Sequence, residues 1–208
     1  MRELTTRKCD IAGHVISLML PLDEESSLNE MVQGKGIDPY WAKLWESASD
    51  TAHCIFQTEW TANLKTLELG CGIGLAGIAG LIAGLDMTFS DHEPQAVDLA
   101  LQNAALNGFE NCGAIVLDWA NPIDETFDVI LASDVLYEQE SHLKILLLAE
   151  QMLRPDGSLR IGDPGRQISR NFLNLANDHS WSVSIFDAQL KPCLAPFTNQ
   201  FQWLVLQK

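Results

Sequence analysis

The sequence predicts an α/β fold: a Rossmann-like, doubly wound sheet of seven strands, mostly parallel with one antiparallel strand, preceded by a short N-terminal β ribbon and helix. Three observations carry this. From residue 64 onward, short apolar segments alternate with helix-patterned ones, as parallel strands covered on both faces require. The glycine-rich stretch LELGCGIGLAG (67–77) stands where a strand turns into a helix. The last two strand-like segments have no helix between them, which suits one antiparallel strand at the end of the sheet. At 208 residues the chain suits a single domain with a sizeable core. Residues 1–36 read as a ribbon and loop extension, and 37–208 as the core.

Taken in order, HVISLMLPL within 1–22 is apolar and β-branched, a strand of the ribbon. DEESSLNEMVQGKG (23–36) is polar and reads as a surface loop or short helix. DPYWAKLWESASDTAHCIF (38–56) is helical once past Pro39, with Tyr40, Trp41 and Trp45 clustered within about one and a half turns. LKTLELG is the first core strand, followed by a glycine-interrupted helix at 75–83. MTFSD is a second strand. Pro94 to Asn107 is a helix, with proline near its start and Gly108 after its end. GAIVLDW and FDVILASD are the third and fourth strands. The leucine-rich helix 141–153 is stopped by Pro155-Asp-Gly. SLRIGD is a fifth strand, 168–179 a helix, and SWSVSIFDA and FQWLVLQ the closing strands.

Composition excludes several classes. Hydrophobic residues are 47% and charged residues 20%, as in a soluble globular protein. The N-terminal MRELTTRKCD lacks the apolar core of a signal peptide. The uncharged run from Leu69 to Leu85 opens on three glycines, which suits a turn and a buried helix better than a membrane span. The expected compartment is the cytoplasm. Five scattered cysteines read as reduced thiols, and neither they nor the five histidines show metal-ligand spacing. A net charge of −15 repels nucleic acid and anionic lipid and suits solubility or a partner with a basic face.

In a doubly wound sheet, ligands sit at the carboxyl ends of the strands. The ends to inspect are Gly70–Gly74, Asp91, Asp118-Trp119, Ser133-Asp134 and Gly162-Asp163. From Gly72 the loop reads G-x-G-x-x-G, as for a dinucleotide; from Gly70 it reads G-x-G-x-G behind an acidic strand. Glu68 decides between them. A buried carboxylate beside a pyrophosphate is repulsive, whereas beside a cation it is favourable. S-adenosylmethionine carries a sulfonium and an ammonium and no phosphate. The glycines then permit close backbone approach, and Glu68 organises the loop and its charge. Asp91 closes the second strand, where a carboxylate accepts ribose hydroxyls, a feature shared with NAD sites. Asp118 and Trp119 close the third, where they suit an adenine, although Trp119 alone also suits core packing.

LELGCGIG, SDHEP, LDW and FDVILASDVLYE together resemble the successive motifs of class I, seven-strand, S-adenosylmethionine-dependent methyltransferases, over roughly residues 38–208. PYWAKLWESA, ASDVLYE and GDPGR are similar to the lysine methyltransferase-like group, methyltransferase family 16. That group includes the electron-transfer-flavoprotein β-subunit lysine methyltransferases. The resemblance implies S-adenosylmethionine as cofactor, S-adenosylhomocysteine as product, and a protein lysine as acceptor. It places Gly70, Gly72 and Gly74 along the cofactor's methionine part, Asp91 at the ribose, and Asp118 and Trp119 at the adenine. Trp45 closes over the methionine end, with Glu68, His92 and Ser133 completing the cofactor set. Asp134 and Tyr137 match a D-x-x-Y motif beside the acceptor amine. Residues 1–36 match no motif of the group.

Methyl transfer is an in-line displacement with a good leaving group, so the protein's task is positioning. A lysine must first lose its proton, which at pH 7.4 costs about 4 kcal/mol. A lone carboxylate opposes that loss, so Asp134 is expected to aim the amine and not to act as a strong base. The competing role for Asp134 is a helix N-cap, and for Tyr137, one helical turn on, core packing. Asp163 and Arg166 are expected either to pair at the acceptor's side or simply to shape a turn. Other readings of the chain are a small-molecule amine N-methyltransferase, a dinucleotide-dependent oxidoreductase, which Glu68 and LDW oppose, and a non-catalytic cofactor-binding module.

Overall fold

The computed structural model describes residues 4–21 and 40–208. The expected ribbon is an antiparallel hairpin of β1 (Leu4–Ile11) and β2 (His14–Pro21). The loop or short helix expected at 23–36 lies outside the described residues. A single 3₁₀ turn (Tyr40–Ala42) precedes α1 (Glu46–Gln57). The βα series then runs β3 (Lys65–Leu69), α2 (Leu75–Ile82), β4 (Asp86–Asp91), α3 (Pro94–Leu106), β5 (Gly113–Val116), β6 (Phe127–Ser133), α4 (Gln139–Met152), β7 (Leu153–Asp163) and α5 (Ser169–Asp178). Strands β8 (Ser182–Phe186), β9 (Pro192–Cys193) and β10 (Gln202–Gln207) complete it.

The main sheet has the order β5-β4-β3-β6-β7-β10-β8-β9. The pairs β5–β4, β4–β3, β3–β6 and β6–β7 are parallel. The antiparallel strand β10 lies inside the sheet, between β7 and β8, and not at its end. It is Trp203, Leu204 and Leu206 that hold it there, all buried. The two-residue β9 adds an eighth strand for which the sequence carries no pattern. One face of the sheet packs on α1, α2 and α3 through Ile55, Ile78 and Ala100. The other packs on α4 and α5 through Ile145, Leu148 and Phe172. Among the described residues no helix is long and apolar enough to cross a membrane.

Three boundaries move from their expected places. The helix expected soon after Pro39 begins only at Glu46, because Trp45 is extended at its N-cap and its indole N–H donates to the Tyr40 carbonyl at 3.1 Å. Strand β5 stops at Val116, which turns Asp118 and Trp119 out of the ladder. Pro155, Asp156 and Gly157 do not separate α4 from the next strand: β7 starts at Leu153, and these residues form a bulge between the pairs Phe127–Leu153 and Val129–Ser158. Asp156, with φ +67°, takes the left-handed backbone the bulge needs.

The hairpin docks through two asparagines, one in α3 and one at its C-cap. Asn103 accepts from Met19 N–H at 2.7 Å and donates to the carbonyls of Met19 and Ile73. Asn107 accepts from Ser17 N–H at 2.9 Å and donates to the Ser17 carbonyl at 2.7 Å. Four helical residues rise about 6 Å and two strand residues about 6.6 Å, so the two amides meet alternate peptide groups of β2.

Candidate functional site

The carboxyl ends of β3, β4, β6 and β7, with Trp119 beyond β5, surround one cavity of about 470 Å³. Its floor is the turn from β3 into α2. Gly70, Gly72 and Gly74 all have positive φ, so the chain turns from strand to helix within the five residues 70–74. At Gly72 a Cβ would stand 2.8 Å from the Trp41 carbonyl oxygen, so the backbone of the 40–45 segment rests directly on the turn. At Gly74 a Cβ would meet the Ala100 Cβ at 2.9 Å. Gly70 and Gly72 line the cavity; Gly74 does not, and serves instead to let α2 pack against α3.

Asp91 is buried at the end of β4 and braces the same turn. Its Oδ2 accepts from Gly72 N–H at 3.0 Å, and its Oδ1 accepts from Glu93 N–H at 3.1 Å. His92 Nδ1 lies 3.2 Å from Asp91 Oδ1, with an exposed ring on the cavity rim. Glu68 lies behind the turn, 2% exposed. Its Oε2 has no hydrogen-bond partner. Burial pushes its carboxyl up to about 8, opposed by the Gly77 N–H and reinforced by the charge of Asp91. Cys71, in the turn, is an inert thiol: burial first, then Glu68 and Asp91, raise it well above the ordinary range.

Trp41, Trp45 and Trp119 line the cavity. Lys43 Nζ lies 4.3 Å from the Trp45 ring centroid, a cation–π contact. Asp118 is not brought to the wall. Its carboxylate closes a turn on its own loop, accepting from Ala120 N–H at 2.9 Å and Asn121 Nδ2 at 3.0 Å, and those bonds hold it below the usual carboxylate range. It is therefore left out of the candidate site.

The other end of the cavity is built on Ser133, Asp134, Tyr137 and Arg166. Ser133 Oγ is 2.9 Å from Thr51 Oγ1 of α1. Asp134 has φ +57° and no role in capping α4, whose N-cap is Glu138. Its carboxylate is fully engaged: Oδ1 accepts from Arg166 Nε at 3.0 Å and Nη2 at 2.5 Å, and Oδ2 accepts from Ser47 Oγ at 2.9 Å. Tyr137 is in the loop between β6 and α4, not one helical turn from Asp134, and is 49% exposed, so it is not core. The expected pairing of Asp163 with Arg166 is not formed. Asp163 is buried and accepts from Gly165 N–H (2.8 Å), Ser169 Oγ (2.7 Å) and Gln202 Nε2 (3.0 Å). It thereby shapes the turn that aims Arg166 at Asp134.

Sequence reasoning thus singled out Arg166 with the wrong partner, and missed Ser47, Lys43 and Trp41. The doublet Trp41 and Trp45 in a segment leading to the glycine turn was the available signal for the last two.

Residues 61–202 match a family model described as a methyltransferase domain. The chain is 35% identical over 124 residues to the histidine protein methyltransferase 1 homolog of Dictyostelium discoideum, covering 55% of this chain and 40% of that protein. It is 28% identical over 132 residues to the electron transfer flavoprotein beta subunit lysine methyltransferase of Danio rerio, covering 62% and 51%. The matched stretch spans about half or less of these curated relatives. The ribosomal protein L11 methylase of Lactobacillus delbrueckii subsp. bulgaricus shares the fold, with a TM-score of 0.66 over 83% of each chain at 19% identity.

Proposed function

We propose that this chain, which belongs to the methyltransferase domain family through residues 61–202, uses S-adenosylmethionine to methylate the side-chain nitrogen of a protein lysine. The observation that carries the cofactor is the buried carboxylate of Glu68, with an unpartnered oxygen, behind a glycine turn already braced by Asp91. With Asp91, this acid suits a cationic ligand without phosphate: burial holds Glu68 protonated up to about pH 8 in the chain alone, and a cation bound nearby would favour its ionisation. The lysine and arginine among the described lining residues, Lys43 and Arg166, are engaged with Trp45 and Asp134. A pyrophosphate would find repulsion at that turn, and a sulfonium or ammonium would find compensation.

In this reading Gly70 and Gly72 hold the methionine part through their backbone, and Asp91 accepts the ribose hydroxyls. Trp119 covers the adenine, and Trp41 and Trp45 cover the methionine end. His92 and Ser133 complete the wall, and Glu68 sets the charge behind the turn. Bound there, the cofactor supplies a methyl group on a positively charged sulfur. The chain's own residues then position the acceptor: Asp134, held on both oxygens, and Tyr137 stand at the opposite end of the cavity. The lysine acceptor and the protein partner follow the named activities of the relatives, one of which acts on lysine in a protein.

S-Adenosylmethionine and S-adenosylhomocysteine are expected to raise the melting temperature at saturating dose, since each binds only the folded chain. NAD(P)H should leave it unchanged; a shift with NAD(P)H and none with S-adenosylmethionine would falsify the cofactor reading. Asp91→Ala is expected to weaken S-adenosylmethionine binding by roughly ten- to a hundredfold, the loss of charge-assisted hydrogen bonds worth about 1.5–3 kcal/mol. Calorimetry on the folded variant checks this, and unchanged affinity removes Asp91 from the site. A peptide array with central lysines, incubated with methyl-labelled cofactor, tests the acceptor.

A further inference from the structure

Asp134 is occupied before any acceptor arrives. Arg166 gives it two hydrogen bonds and Ser47 a third. This pair is redundant as a tie between β6 and β7, because Asp134 N–H already donates to the Gly162 carbonyl at 2.8 Å and Ser133 pairs with Gly162 in the ladder. The arginine is nonetheless held firmly in place. Asp163 fixes the turn that carries it, and Asn199 N–H donates to the Gly165 carbonyl at 2.8 Å. Its side chain remains 37% exposed on the cavity wall, whereas that of Asp134 is 9% exposed.

We propose that Arg166 sets the charge state in which the acceptor nitrogen is received: by pairing with Asp134 it cancels the carboxylate's charge, so the cavity admits the amine as a neutral nucleophile. The inference rests on reading the cavity as a methyl-transfer site. A free lysine is neutral in only about one molecule per thousand at pH 7.4. A bare carboxylate beside it would lower that fraction further, while a guanidinium beside it raises the fraction. Arginine keeps its proton throughout the working range, so the cancellation does not itself titrate. The ammonium's proton passes to water before attack. The nitrogen lone pair then forms the new N–C bond as the C–S bond breaks, its electron pair passing to sulfur.

Other groups bear on the same space. Facing Asp134 from α1 is the neutral Ser47 hydroxyl. Around the rest of the wall are Lys43 before α1, Glu68 on β3, Cys71 in the turn, and Asp91, His92 and Glu93 after β4. Among the described residues, Tyr40, Tyr137 and Glu138 complete the titratable lining. All of these are unchanged in a variant of Arg166, so a difference between variants isolates the guanidinium.

Arg166 acts through Asp134 and is a positioning residue. The test compares Arg166→Gln, which removes the charge, with Arg166→Lys, which keeps it. Calorimetry at pH 7 on protein saturated with S-adenosylhomocysteine measures binding of n-butylammonium. Arg166→Gln is expected to bind it at least about tenfold more tightly than the parent, as one uncancelled charge nearby predicts; Arg166→Lys should stay near the parent. With a lysine peptide found on the array, the rise of kcat with pH, which reports the bound amine, should move about one unit to higher pH in Arg166→Gln and not in Arg166→Lys. A folded Arg166→Gln with unchanged butylammonium affinity, or an unchanged pH profile, overturns the proposal. If no lysine peptide is methylated by the parent but butylammonium gains affinity in Arg166→Gln, the charge cancellation stands and the lysine reading falls.

Discussion

Asp134→Ala is expected to lose methyl transfer by about a hundredfold, equivalent to ~2.7 kcal/mol of barrier, while keeping its affinity for S-adenosylmethionine. The cofactor end is built from the glycine turn and Asp91, on β3 and β4, and none of those bonds involves Asp134. The fold should survive, since the freed Arg166 is partly exposed and returns to water. Asp134→Asn keeps the shape but gives Arg166 an uncharged partner, which weakens the charge-assisted pair that orients both side chains. It should therefore restore little activity. The structure has removed the helix-cap account, because α4 begins at Gln139 behind Glu138. Turnover on an array-identified peptide, measured beside cofactor affinity for the parent, Ala and Asn proteins, decides the matter. Full activity in Asp134→Asn would leave Asp134 without a part in aiming the acceptor.

The second large effect is on stability. Glu68 carries a carboxyl raised from an ordinary 4.5 to about 8 in the folded chain, chiefly by burial. Below about 4.5 both folded and unfolded chains hold the proton, and the contribution of this group is at its most favourable. Above that value the unfolded chain releases a proton that the folded chain keeps, so stability falls as pH rises. The fall ends near 8, where the folded chain also ionises. Over the full window the loss is on the order of 5 kcal/mol. Glu68→Gln is neutral throughout, so its melting temperature should fall less between pH 5 and 8 than that of the parent, with the gap widest near pH 8. Parallel curves for the two proteins would show that Glu68 is ionised, or solvated, in the ligand-free state.

Much of this was legible in the sequence because the sheet is written in local signals. Glycine marks the β3–α2 turn, Pro94 and Gly108 bracket α3, and each strand is a short apolar run. The ends of those strands could therefore be named, and Gly70, Gly72, Asp91, Trp119, Ser133, Asp134 and Tyr137 do share one cavity. What could not be read depends on how strands lie side by side. Asp134 and Arg166 are 32 residues apart and meet only because β6 and β7 are neighbours. Local reading gave Arg166 to Asp163, three positions away, although Asp163 is directed into the core and spent on Gly165, Ser169 and Gln202. Asp118 and Gly74 carry the right residue type at the right spacing, yet one folds back on its own loop and the other spaces two helices. The place of β10 inside the sheet was equally hidden, since its apolar pattern is the same for an edge or an interior strand.

Asn103 and Asn107 read the peptide groups of Ser17 and Met19, not their side chains. Together with the buried Ile16, Leu18 and Leu20 they hold β2, while Leu4 to Lys8 of β1 stay exposed and β1 reaches the core through Cys9 and Ile11 at its far end. The hairpin is therefore attached mainly by one strand and leaves residues 4–8 of the other free to vary. Residues 4–8 of its outer strand can be rewritten without releasing the hairpin from its mount. A mount of this kind lets one catalytic core carry interchangeable surfaces beside it, each new surface requiring changes in β1 and none in the helix that bears it.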